Sequence, residues 1–313
     1  MLGRTANGLF WMYRYLERAE NTARLVATGQ RIALTRNRGA DDEWRSILQT
    51  AAVNESYNEY YPSLTQDSAI DWMLRSEENP SSVFSCVVAA RQNARMVRTA
   101  LTGEVWEAVN AFYMHCNSVL KRHLPERDIP STLIGIRQRT ALVRGMTHGT
   151  MLRNDIFDFA RLGTFLERAD NTARILDVKY YVLLPSVTLV GSSIDNVQWE
   201  SILRSVSARG GFRMEYGGAI NSRDIANFLI LDKRMPRSLA FCTSKLRDNL
   251  GYLTSTLNEV PPSYSQVECI KKNCLMSGIE SIFEFGLHEY LQHFIMLLGN
   301  LSRQIEIDFQ FCD

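Results

Sequence analysis

The sequence lacks an apolar run of the roughly 20 residues that a transmembrane helix requires. Its first segment places Arg and Glu among the apolar residues, MLGRTANGLFWMYRYLERAENTAR, whereas the apolar core of a secretory signal is free of charge. Proline and glycine are also few, with 8 and 18 among 313 residues. These absences exclude membrane-spanning, collagen-like and low-complexity classes. They favour a globular cytoplasmic protein.

An excess of charge of either sign is also missing, since 35 basic residues face 34 acidic ones and the net charge is +1. A broad electrostatic attraction to nucleic acid or to an anionic membrane is therefore not expected. Lysine is scarce, because 29 of the basic residues are Arg and only 6 are Lys. Arg pairs with carboxylate or phosphate through a planar fork. Interior ion pairs, an anion pocket and a GC-rich genome all remain open as explanations.

The sequence offers no recognisable set of metal or cofactor ligands. It has no CxxC pair, no phosphate loop GxxxxGK[ST], no GxGxxG and no hydrolase GxSxG. Helical spacing does occur within Glu280–His288 and Glu289–His293, but neither Glu-x-x-His nor HExxH is present. We therefore expect no cofactor, no metal and reduced thiols. The cysteines are Cys86, Cys116, Cys242, Cys269, Cys274 and Cys312.

One ten-residue segment occurs twice in the chain. Residues 16–25 read LERAENTARL and residues 166–175 read LERADNTARI, with eight of ten positions identical. A WxSIL block and a PxS…C…RxN block also recur in the same order, and their offsets drift from 150 to 156. Three blocks in one order indicate a tandem duplication. It predicts repeat one over residues 1–150 and repeat two over 151–313.

The apolar spacing is helical throughout, and strand alternation with turn residues is missing. The expected fold is all-α, a helical bundle built from two tandem homologous repeats with pseudo-twofold symmetry. No linker rich in Pro, Gly or Ser separates the halves, so we expect one compact two-repeat unit. Asn79-Pro80 is typical of a helix start, and Tyr264–Asn273 reads as a loop. The main helices are predicted at 8–34, 42–60, 67–75, from Pro80 to about Leu101, 104–124 and 276–306.

A polar arc on the duplicated helix is the main candidate site. At about 100° per residue, its side chains share a strip bracketed by apolar residues such as Phe10 and Leu25. An arc so bracketed is expected to be buried and hydrogen-bonded. A structural ion-pair lattice, a ligand or catalytic site, and a solvated face with an ordinary i, i+4 pair remain alternatives. The candidate cluster is Glu17, Glu20, Asn21, Arg24, Glu167, Asp170, Asn171 and Arg174.

A second candidate is an arginine stripe formed by Arg91, Arg95 and Arg98 at i, i+4 and i+7. On one helix face these guanidinium groups could meet the carboxylates of the duplicated helix or hold an anion. The second repeat keeps only Arg247 of the three, with Gly251 and Thr254 at the other positions. Any anion site is therefore expected to be asymmetric and to lie in repeat one.

The motifs as a group resemble the bacterial alpha-E family, a former domain of unknown function. The resemblance is spread over nearly the whole chain. It is carried by residues 1–24 with the opening signature, by NPSS at 79–82, ARQNAR at 90–95, WE at 106–107, GTMLR at 149–153 and FLERADNTAR at 165–174.

The resemblance implies a cytoplasmic helical protein encoded beside an ATP-grasp ligase and a transglutaminase-like peptidase, and hence a pathway that makes or trims amide bonds. One hypothesis is a non-enzymatic accessory protein that docks the ligase or a peptide ligand. The other is an enzyme of amide-bond formation or cleavage. It would use the acidic side chains of the duplicated helix as acid–base groups and Arg to hold a carboxylate.

Overall fold

Helices provide all the regular secondary structure of the described residues, which in this computed structural model are 3–35, 40–182, 193–218, 220–255 and 259–311. Side-chain positions are described outside 32–42 and 179–197. Within these ranges no residue belongs to a strand. The predicted all-α class is therefore confirmed.

The chain divides into two units, one of Met1–Glu167 with Phe309–Asp313 and the other of Arg168–Asp308. The division falls inside a single long helix, α8. The helices up to that point are α1 (Gly3–Thr35), α2 (Ala40–Thr50), α3 (Asn54–Tyr60), α4 (Gln66–Leu74), α5 (Val83–Met96), α6 (Gly103–Leu120), α7 (Ile129–Thr150) and α8 (Asp155–Val182).

The helices that follow begin after α8 and end with the longest helix of the second unit. They are α9 (Ser193–Ser205), α10 (Arg209–Tyr216), α11 (Ser222–Ile230), α12 (Leu239–Thr254), α13 (Pro262–Cys274), α14 (Ile279–Phe285) and α15 (Leu287–Asp308).

Side-chain caps set several helix starts. The Ser82 hydroxyl accepts a hydrogen bond from the Ser85 backbone N–H and begins α5, which satisfies one of the unpaired donors of a helix N-terminus. The predicted start at Asn79-Pro80 is therefore wrong by three residues. Asn79 is fully buried and donates instead to the Trp72 carbonyl oxygen at 2.9 Å.

Two predicted helices are divided because the backbone turns at a single residue, and one predicted loop is helical. Ala52, with φ of 55°, separates α2 from α3 where one helix was expected. Gly286, with φ of 104°, ends α14 before α15 begins; glycine tolerates that left-handed conformation. The loop predicted at Tyr264–Asn273 is helical and lies within α13, which begins with Pro262 in its first turn.

Close backbone approaches position α1 inside the first unit. A Cβ on Gly163 of α8 would lie 2.2 Å from the Phe10 carbonyl oxygen, and one on Gly8 would lie 2.5 Å from a Val97 methyl. Only glycine fits at either point without a shift of its neighbours. The C-terminal segment returns to the same unit, where the Asn7 amide donates to the Phe311 carbonyl oxygen at 3.1 Å.

Each unit has its own apolar core, dominated by aromatic side chains that are almost fully buried. In the first unit these include Phe10, Trp44, Tyr57, Trp72 and Phe112, and in the second Trp199 and Phe294. Among the described helices, none has an apolar stretch of the length needed to cross a membrane.

Candidate functional site

The two carboxylates of α1 are buried and paired with arginine. Glu17 is 2% exposed and Glu20 is fully buried. Arg24, one turn further on, donates to Glu20 from Nε at 3.0 Å and also from Nη2. Arg144 of α7 donates from Nη1 to the other Glu20 oxygen and lies 3.6 Å from Glu17 Oε2. One carboxylate thus ties two helices together.

A hydroxyl pair extends this contact toward the start of α1. The Tyr13 and Thr147 hydroxyl oxygens lie 2.5 Å apart, and burial raises the Tyr13 pKa while the hydrogen bond to Thr147 opposes it. As the chain advances along α1 from Tyr13 to Glu20, its partners go back along α7 from Thr147 to Arg144, so the two helices are antiparallel. We call the contacts of Tyr13, Glu17 and Glu20 with Thr147 and Arg144 the α1/α7 seam.

Glu167 of α8 receives two further arginines of α1. Arg14 Nε donates to Oε2 at 3.0 Å, and Arg18 donates from Nε at 2.6 Å and from Nη2 at 3.0 Å. Burial alone would raise the Glu167 pKa, but Arg18 and Arg14 outweigh it and lower that pKa to about 2. The carboxylate is therefore ionised at neutral pH.

Aromatic rings hold these arginines in place. The Arg14 guanidinium lies 4.6 Å from the centre of the Trp11 ring, and that of Arg18 lies 5.9 Å from Tyr15. The two rings are themselves 5.6 Å apart. Stacking uses the flat face of a guanidinium and ion pairing uses its N–H edge, so both contacts can hold each arginine side chain at the same time.

The second copy of the arc is only partly buried. Arg174 donates to Asp170 from Nε at 2.8 Å and from Nη2 at 3.2 Å, but their side chains are 33% and 24% exposed. Asn171 is also half-buried, unlike Asn21 at 3%. Glu17, Glu20 and Glu167 are therefore almost fully buried, whereas Asp170 and Arg174 are hydrogen-bonded as expected but only partly covered. The helical pattern at these positions does not specify how much protein covers them.

Asp177 forms a carboxylate–histidine pair that sequence patterns did not reveal. Its side chain lies 2.6 Å from His288 Nδ1 and accepts a hydrogen bond from the Gln292 amide at 2.6 Å. His288 and Gln292 are one turn apart on α15. A single Asp on α8 carries no signal by itself, because its partners are more than 100 residues away. Among the described residues, no group of three or more side chains is suited to a metal ion.

The arginine stripe does not reach the carboxylates of α1. Arg91 donates to the Asn110 side chain at 2.9 Å and lies 4.4 Å from the Tyr113 ring centre. Arg98 falls outside α5, in a short 3-10 turn, and Arg95 is exposed. In the part of the chain that the structure describes, none of the three forms an ion pair. The predicted ion-pair role of the stripe is therefore wrong, because α5 ends at Met96 and Arg91 points at α6.

The arrangement joins helices through ionised carboxylates that are shielded from water, each held by arginines. Glu167, whose pKa is lowered to about 2, does not exchange protons near neutral pH. The residues that the sequence did not single out are the partners, Arg14, Arg18 and Arg144. The only signal for Arg14 and Arg18 was their i, i+4 spacing on the duplicated helix.

The fold and this site define an all-helical protein whose recurring motif builds buried carboxylate–arginine contacts. The chain belongs to the Alpha-E family, described as a predicted alpha-helical domain with a conserved ER motif, which matches residues 1–309. Glu-Arg pairs stand at residues 17–18 and 167–168, within the two copies of the motif. No curated protein and no solved structure matches the chain.

Proposed function

We propose that the chain is a cytoplasmic, non-enzymatic accessory protein of bacterial amide-bond metabolism, acting with an ATP-grasp ligase and a transglutaminase-like peptidase. The membership in the Alpha-E family and the resemblance described above support these partners. A peptide is the candidate ligand.

The observation that carries the non-enzymatic part is the state of Glu167. With its pKa lowered to about 2 by Arg18 and Arg14 against the effect of burial, this side chain is unsuited to proton transfer at neutral pH, where an acid–base group needs a pKa near the working pH. Glu20 is held in the same way between Arg24 and Arg144. Both carboxylates act as structural anchors.

The alternative is an enzyme of amide-bond formation or cleavage that uses the acidic groups of the duplicated helix. It would require at least one of these carboxylates to be open to a substrate. Asp170 is the most exposed carboxylate of the arc, with 24% of its side chain exposed, and its partner Arg174 is at i+4. That geometry is an ordinary helix pair, which favours the accessory function.

We also propose that the two halves arose by tandem duplication. Local details that recur at the predicted offset support this. Ser82 and Ser238 cap α5 and α12, and four residues further on each helix has a cysteine. The Cys86 and Cys242 thiols lie 3.7 Å from the carbonyl oxygens of Pro80 and Pro236, respectively.

The break after the second helix recurs in the same way. Ala52 and Ser207 both adopt positive φ, at 55° and 54°, 155 residues apart. Stacked rings follow each break at i, i+4 spacing, with equal interplanar angles of 16°. They are Tyr57–Tyr61 at 4.9 Å and Phe212–Tyr216 at 4.8 Å. A non-glycine residue rarely adopts positive φ, so its recurrence supports common descent of the halves.

The experiment measures ATP consumption by an ATP-grasp ligase of the kind proposed as partner, with and without the purified chain. We expect no turnover by the chain alone and a changed ligase rate in the mixture. Arg95→Ala, at an exposed position of the stripe, should weaken the effect, whereas Arg122→Ala, at another exposed arginine, should preserve it. Amide-bond chemistry by the chain alone would establish the enzyme instead. An unchanged ligase rate without a measurable complex would refute both hypotheses.

A further inference from the structure

Four guanidinium groups of the described residues gather at the far end of the α1/α7 seam. Arg24 and Arg31 are seven residues apart on α1, and Arg137 and Arg144 are seven apart on α7. Seven residues are close to two helical turns, so each pair lies on one helix face. Glu20 joins Arg24 to Arg144 directly. The antiparallel direction of the helices then places Arg137 beside Arg24 and Arg31.

Electrostatics are consistent with this placement. Burial lowers the Arg137 pKa first, and the neighbouring Arg24 and Arg31 lower it further, while Glu20 alone opposes them. Like charges are thus held near one another on the protein itself. Such an arrangement destabilises a protein unless an opposite charge is supplied.

Arg137 also has an unused donor. Its Nε is buried and has no hydrogen-bond partner among the described residues. A buried guanidinium donor without an acceptor is costly, since charged groups lose the most when they are left unpaired. Arg24 is 14% exposed, Arg144 is 32% exposed, and Arg31 lies at the surface. The cluster therefore opens to solvent at one end, where a ligand can enter.

We propose that Arg24, Arg31, Arg137 and Arg144 form a binding site for a phosphate group. Among the described residues, the four guanidinium groups outnumber the carboxylates of Glu17 and Glu20 that lie with them. A phosphate monoester carries about two negative charges in one compact group at neutral pH, whereas a carboxylate carries one. Planar guanidinium forks bind phosphate oxygens in pairs. This site is independent of the partner proteins proposed above.

The test is a titration of the purified chain with inorganic phosphate at constant ionic strength. Binding is monitored by the melting temperature and by calorimetry. O-phosphoserine forms a second arm, which distinguishes a small phosphate ester from the free ion, and chloride is the reference. We expect saturable binding of at least one of the two phosphates and a rise in melting temperature.

Variants separate the site from general screening. Arg137→Gln and Arg31→Gln should each weaken phosphate binding at least tenfold, whereas Arg139→Gln should leave it unchanged. Arg139 is a matched control on the same helix, because its side chain donates to the Gly135 carbonyl oxygen of its own turn.

A third readout concerns the protein without phosphate. Because Arg137 lies among like charges, Arg137→Gln should keep or raise the melting temperature in phosphate-free buffer. A marked fall there would mean that Arg137 already has a structural partner, and it would overturn the proposal. Equal phosphate responses of Arg137→Gln and Arg139→Gln, or no response beyond that to chloride, would overturn it as well.

Discussion

Replacing Glu167 by Gln removes the negative charge that holds Arg14 and Arg18 while keeping the size of the side chain. The folded protein lowers the Glu167 pKa from an ordinary 4.5 to about 2, because the two arginines outweigh burial. A difference of that size corresponds to about 3 kcal/mol of folding stability at pH 7. The same order is expected when one partner of a buried ion pair is removed.

The pH dependence has a definite sign. Because the folded pKa lies below the unfolded one, the contribution of Glu167 is present above pH 4.5 and is lost as the pH falls toward 2. At pH 3 it should amount to only about 1 kcal/mol. The stability difference between the wild type and Glu167→Gln should therefore shrink on acidification.

The assay is urea unfolding followed by circular dichroism at pH 7 and pH 3. Asp170→Asn serves as the matched control on the same helix, and its half-exposed pair with Arg174 should contribute less than about 1 kcal/mol. An equal loss for both variants at pH 7, or a Glu167→Gln loss that does not change with pH, would refute the assignment of Glu167 as a buried anchor.

Three further outcomes are expected, each checked by chemical or thermal unfolding. Gly163→Ala should destabilise the protein by about 1–3 kcal/mol, since the new Cβ meets the Phe10 carbonyl oxygen. Its control, Gly145→Ala, has open space around the new Cβ and should stabilise the protein by about 0.5–1 kcal/mol. Equal effects of the two variants would contradict the close approach of α8 to α1. Burial, aided by Asp155, raises the Asp158 pKa from 3.8 to about 6, so stability falls as the pH rises from about 4 through 6. Asp158→Asn should abolish this decline, which amounts to about 3 kcal/mol; a pH profile parallel to that of the wild type would contradict it. Ser82→Ala should cost about 1 kcal/mol through the lost cap, and an unchanged midpoint would mean that the cap is not needed.

Helices with uninterrupted periodicity were predictable from the sequence. Residues 8–34 predicted α1, observed as Gly3–Thr35, because the apolar spacing contains no proline and, after Gly8, only the single glycine Gly29. The break at Ala52 was not predictable, since a non-glycine residue at positive φ leaves no mark in composition. The break at Gly286 did have a signal, and the length of the apolar run concealed it.

The carboxylates of the candidate site were predictable from the sequence, but their arginine partners were not. Apolar neighbours on both flanks correctly placed Glu17 and Glu20 in the interior. Their partners were not predictable, because Arg144 is 124 residues from Glu20 along the chain and periodicity describes only one helix at a time. The ion-pair alternative for the arginine stripe was wrong for the related reason that its helix ends two residues before Arg98, whereas its anion-binding alternative stays a prediction.

Two of the original interpretations of the arginine-rich composition apply to different parts of the first unit. An ion-pair lattice accounts for Glu167, where both arginines bind the carboxylate and stack on aromatic rings, and for Glu20, which ties α1 to α7. It does not account for Arg137, whose Nε is buried without an acceptor among the described residues and whose nearest charges are mostly positive. A purely structural lattice would gain from an apolar or neutral residue at that position. A guanidinium there has a physical reason only if an anion completes the cluster, which is why Arg137→Gln separates a ligand site from a scaffold.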